Sequence, residues 1–132
     1  MNDAAETIVE AGQFGRVFTV RLRPNVDLIA GIEEICADHG LAYAEVRGAI
    51  GSLIDAALQI GDMKRTVAGP GLEIALTSGR VAPADNGQPR ARLFGLVSDG
   101  EGRPYGGEFV RGENPVFVTL ELVLHEWVPT AE

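Results

Sequence analysis

The chain has 132 residues, of which 45% are apolar and 23% charged. That size and balance suit one globular domain with a single core and exclude a disordered chain. Its 11 Lys and Arg stand against 19 Asp and Glu, a formal charge of -8 with no basic cluster. Little is therefore available to displace counterions from a phosphate backbone, and direct binding to nucleic acid is not expected. No apolar run is long enough to span a bilayer, so no membrane partner is expected. The opening Met-Asn-Asp-Ala-Ala-Glu-Thr lacks the basic and apolar regions of a secretion signal, and the single Cys36 cannot form an internal disulfide. A cytoplasmic protein is the expectation.

Residues 1–13 read as a polar, flexible tail ahead of a domain over 14–132. Residues 16–23 alternate as a first strand, which Pro24 and Asn25 stop because proline cannot donate to a ladder. A helix is expected over 27–39, capped by Asn25 or Asp27 and ended by Gly40. It places Leu28, Ile29, Ile32, Ile35 and Cys36 on one face and turns Glu33, Glu34 and Asp38 outward. On that apolar face Cys36 reads as a buried structural thiol, since no His or Asn motif accompanies it. His39 sits where it can face the negative end of the helix, and His125 reads as a surface residue.

Two strands follow, over 43–50 and 53–60, with Gly51 and Ser52 forming a tight turn or a bulge between them. Gly48 and Gly51 suggest close backbone approach. A phosphate-cradling loop would call for more glycine and a following helix. Gly69-Pro70-Gly71 is a turn. One strand covers 72–82 with a bend at Gly79, and 83–89 is a polar connection. Residues 90–98 make the next strand, 99–102 a hairpin tip, and 105–110 a short strand. After a turn at 112–115, residues 116–125 carry the strongest strand signal. The expected fold is α+β, one domain with a large, mostly antiparallel or mixed sheet flanked by helices. The last strand is apolar on both faces for part of its length, which implies cover by a helix on one side and by a neighbouring subunit on the other.

Five stretches, in order, resemble the plant and prokaryote conserved (PPC) domain family. They are Arg23-Pro24-Asn25-Val26-Asp27-Leu28, Gly48-Ala49-Ile50-Gly51-Ser52-Leu53, residues 71–79, residues 96–107 with Gly106-Gly107, and Thr119-Leu120-Glu121-Leu122-Val123. The resemblance covers about residues 16–127 and implies a homotrimer. It also brings the label of a DNA-binding family, which derives from plant relatives that carry an AT-hook. This chain has no such Arg-Gly-Arg segment. The family's fold is similar to that of acetolactate decarboxylase, whose three-histidine zinc site polarises a keto acid.

In many bacterial members a His-x-His pair and a Gly-Gly-His surround a divalent metal. The matching positions here hold Arg92, Phe94 and Glu108, and a guanidinium, a phenyl ring and one carboxylate do not make a zinc site. No metal and no cofactor are therefore expected. Two readings follow. In one, the chain is a homotrimeric binding or assembly module, with an Arg92–Glu108 ion pair over Phe94 filling the old metal pocket. In the other, Arg92 binds a small anion such as a carboxylate or keto acid, Glu108 accepts a proton, and Tyr105 and Glu121 line the same cleft. That second protein would be a metal-independent binder, lyase or isomerase.

Overall fold

In a computed structural model that describes residues 6–130, the chain forms eight strands and one helix. They are β1 (Gly12–Leu22), α1 (Leu28–Asp38), β2 (Ala44–Leu53), β3 (Ala56–Ile60), β4 (Met63–Val67), β5 (Leu72–Pro83), β6 (Pro89–Ser98), β7 (Pro104–Phe109) and β8 (Val116–Pro129). The strands make one sheet in the order β1-β8-β2-β5-β6-β7-β3-β4. Every pairing is antiparallel. The sheet is therefore not mixed, and among the described residues its helical flank is the one 11-residue helix α1. The fold is mostly β.

The helix starts at Asp27, whose side chain accepts from Ala30 N at 2.9 Å. The same carboxylate also accepts from the backbone of Gly112 and Asn114, each at 2.9 Å, tying the helix start to the link before β8. Asn114 is fully buried and bonds Ala57 N at 2.9 Å and Val110 O at 2.7 Å, which fastens β3 to the same link. Leu28, Ile29, Ile32 and Cys36 are buried in one cluster with Leu93, Val97, Leu120 and Leu124 from the sheet's inner face. Burying such side chains stabilises by about 1.5–3 kcal/mol each, which is why α1 packs where it does.

The sheet must curl. Only Ile54 and Asp55 separate β2 from β3, so Leu53 and Ala56 lie at most about 11 Å apart. A flat sheet would hold the third and seventh strands about 19 Å apart. The turn lies at Ile54 and Asp55 rather than at Gly51 and Ser52, which sit inside β2. Of the turn and the bulge expected there, the structure has the bulge, at a register shift between Gly51 and Leu53. The φ of Gly51 is 147°, and a Cβ there would overlap the Thr119 carbonyl oxygen.

β4 was not expected from the sequence. Met63, Lys64, Arg65 and Thr66 are all exposed, so this edge strand shows no apolar alternation. β8 runs four residues past its expected end, to Pro129. Gly12 and Gln13 already pair with β8, while residues 1–5 of the expected tail lie outside the described residues. Among the described residues no helix is long and apolar enough to cross a membrane.

Candidate functional site

On β6 the strand period sends Ala91, Leu93 and Val97 into the core and leaves Arg92, Phe94 and Leu96 on the outer face. Phe94 pairs across the ladder with Glu108 on β7. That register lets Arg92 reach Glu108 with two parallel bonds, Nε to Oε2 and Nη2 to Oε1, both 2.9 Å. The guanidinium also lies 5.4 Å from the Phe94 ring centroid. The arginine side chain is 65% exposed and the glutamate 26%. Hydrogen bonding from Arg92 holds the Glu108 carboxyl below its ordinary value, against a smaller opposing effect of burial. A further arginine, Arg80, faces Arg92 across the β5–β6 ladder, and Glu45 lies 3.4 Å from it. The row therefore reads acid, base, base, acid across four strands.

The other two expected site residues lie elsewhere. Tyr105 pairs with the fully buried Val97 and packs against the core, on the opposite face from Arg92. Its hydroxyl donates to Asp99 Oδ2 at 3.2 Å. Asp99 also takes bonds from the backbone N–H groups of Glu101 and Arg103 and from the Arg103 side chain. The Arg103 backbone bond, then its side-chain bond, pulls the Asp99 pKa down to about 2. Glu121 is on the outer face of β8 but pairs with Arg21 at 3.4 Å, beside a different groove. Arg92, Phe94 and Glu108 form one site, and Tyr105 and Glu121 are not part of it.

Cys36 is fully buried, and burial followed by the nearby Glu33 charge pushes its thiol up to about 11. It is no thiolate nucleophile. The His125 ring stacks on Phe14 with centroids 4.0 Å apart.

The model of the Plants and Prokaryotes Conserved (PCC) domain matches residues 9–128. The chain belongs to that family. Among solved structures, a metal-containing protein from Archaeoglobus fulgidus is 27% identical with a TM-score of 0.82, covering 95% of this chain and 89% of that one. A plant- and prokaryote-conserved protein from Pyrococcus horikoshii shares the fold, with a TM-score of 0.77 at 22% identity over 96% of this chain and 87% of that one. The bifunctional protein GlmU of Synechococcus sp. (strain JA-3-3Ab) is 32% identical over 83% of this chain. The chain spans 17% of that relative's length.

The outer-face site of this PCC domain does not suit a divalent ion. Arg92 is a cation, Phe94 offers no lone pair, and both Glu108 oxygens already accept from Arg92. Among the described residues no three His, Cys, Asp or Glu side chains cluster as ligands.

The sequence did not single out Arg47, Ile50 and Leu76, which line an open groove of about 740 Å³ on the same face. Gly48 and Gly51 were the available signal. They mark where β2 leaves regular pairing, although neither names a ligand.

Proposed function

We propose that this PCC domain is a self-associating binding or assembly module, a cytoplasmic homotrimer with no metal at Arg92, Phe94 and Glu108 and little direct affinity for DNA. The observation that carries this reading is the bidentate Arg92–Glu108 pair stacked over Phe94. It engages both Glu108 oxygens and leaves the position without free ligands for a metal. Exposed apolar side chains away from the open groove, including Met63 at 68% and Val118 at 61%, support an interacting role. The charge of -8 weighs against a nucleic-acid partner.

Catalysis by Glu108 fits the geometry less well. A general base at neutral pH works best with a pKa near 7, whereas the bonds from Arg92 move Glu108 in the opposite direction.

A zinc titration by calorimetry, paired with sedimentation velocity, tests the proposal. The native protein should sediment as a trimer and take up no stoichiometric zinc. The triple variant R92H/F94H/E108H should gain a zinc site and melt at a higher temperature when zinc is present. Stoichiometric zinc on the native protein, or a monomer at micromolar concentration, would refute the proposal.

A further inference from the structure

β2 and β5 are neighbours in the middle of the sheet, yet their ladder is open between its ends. Ala44, Glu45 and Val46 pair with Val81, Arg80 and Gly79, and Ser52 and Leu53 pair with Glu73 and Leu72. Residues 47–51 and 74–78 do not pair with each other. Local irregularities on both strands accompany the opening. Gly48 and Gly51 adopt φ values of 130° and 147°, and the β2–β8 register shifts between Val46 and Ala49. On the other side, the β5–β6 register shifts between Ile74 and Leu76. Backbone polar groups inside a sheet are ordinarily paired, so a gap of this kind must be served by water or by a ligand.

The gap lies along the open groove of about 740 Å³. That volume falls in the range of about 300–1,000 Å³ typical of small-molecule sites. Ala49, Ile50, Leu76 and Val123 supply apolar lining, and Arg47 and Arg21 supply positive charge. Arg21 has a loose partner in Glu121 at 3.4 Å, both side chains being more than half exposed. Arg47 has no carboxylate within ion-pair distance among the described residues. Its guanidinium lies 5.3 Å from the Phe14 ring centroid, and that ring is stacked in turn on His125. A guanidinium held against an aromatic face keeps its edge N–H groups free to grip a carboxylate with two bonds. On a chain of charge -8, an unpaired arginine beside an apolar groove calls for an anion with an apolar body.

We propose that this groove binds a small amphipathic anion of the medium-chain carboxylate class. The chain lies along Ile50 and Leu76, and the head group meets Arg47. The site is separate from Arg92 and Glu108 and does not depend on the metal-free reading of that position.

The test is calorimetric titration of the full chain with decanoate below its micellar concentration, with decanol and acetate alongside. One decanoate per chain is expected, with decanol and acetate each about tenfold or more weaker. Arg47→Gln should weaken decanoate by a similar factor and leave decanol unchanged. Ile50→Asp, at a position exposed enough to tolerate it, should abolish decanoate binding while the melting temperature is kept. Absence of a decanoate site, equal affinity for decanol, or an Arg47→Gln variant that binds like the native protein overturns the proposal. So does an oligomer that dissociates on Ile50→Asp in a protein that takes up no decanoate, because the groove would then seat a second copy of the chain.

Discussion

The seam between β6 and β7 and the seam between β2 and β5 open on the same outer face, and they treat their arginines in opposite ways. At the first, Phe94 to Ser98 pair with Glu108 to Pro104 residue by residue, and Arg92 spends two of its donors on Glu108. At the second, the ladder is interrupted over five residues of each strand, and Arg47 has an aromatic ring for company but no acid. A guanidinium that the fold neutralises contributes a little stability, while one left without a partner keeps its capacity for an outside anion. The position that the family resemblance picks out is thus the self-satisfied one. The available one is a lone arginine that no motif marks.

Substitutions at glycine separate a closed part of the sheet from the open seam most sharply. In the closed part of the sheet, a Cβ at Gly79 would overlap the Arg92 carbonyl oxygen and come within 2.8 Å of Leu93 Cα. Gly79→Val should cost roughly 3 kcal/mol or more in urea unfolding; a loss under 1 kcal/mol would mean the β5–β6 backbones are not so close. Gly48 meets nothing within 4 Å and is constrained only by its φ of 130°. Gly48→Ala should therefore cost only about 1–2 kcal/mol, and a neutral result would show that the opening of β2 does not need this backbone.

The arginines give smaller effects. Because Arg92 is largely exposed, the Arg92→Ala, Glu108→Ala double-mutant cycle should yield a coupling of at most about 1 kcal/mol. A coupling of several kcal/mol would mark the pair as buried. Since Glu108 titrates lower in the fold than in the unfolded chain, its contribution is present above the ordinary glutamate pKa and is lost as pH falls through the depressed value. The stability gap between the native protein and Glu108→Gln should accordingly close in acid, and a gap that widens there would reverse the assigned direction. Arg47→Gln should change stability by no more than about 0.5 kcal/mol, since no partner in the fold loses a bond. A larger loss would reveal an overlooked structural role.

Much of the architecture could be read from side-chain alternation. The helix shows an apolar face ending at Cys36, although Glu33, expected to turn outward, is buried and accepts from Ala91 N and Arg111. β5 and β6 alternate and β8 is a long apolar run, so each was located within a few residues except at the far end of β8. Met63 to Thr66 defeat the same reasoning, because an exposed edge strand has no buried face to write a pattern. At Gly51 and Ser52 a turn and a bulge stayed open because both use the same residues, and only the partner strand shows that it is a bulge. The pairing of Arg92 with Glu108 over Phe94 follows from strand period once the register is known. Tyr105 could not be assigned to a face on that basis: it is three residues before Glu108, across two glycines, one with a φ of 150°. The opening beside Arg47 depends on how β2 sits against β5, a tertiary relation that no local pattern records.

Native mass spectrometry of the untagged protein, purified without added metal, tests the central claim most directly. The account predicts a trimer whose mass equals three bare chains, apart from any small organic acid in the β2–β5 groove. A stoichiometric metal ion retained on each chain, or a monomer under gentle conditions, would contradict it.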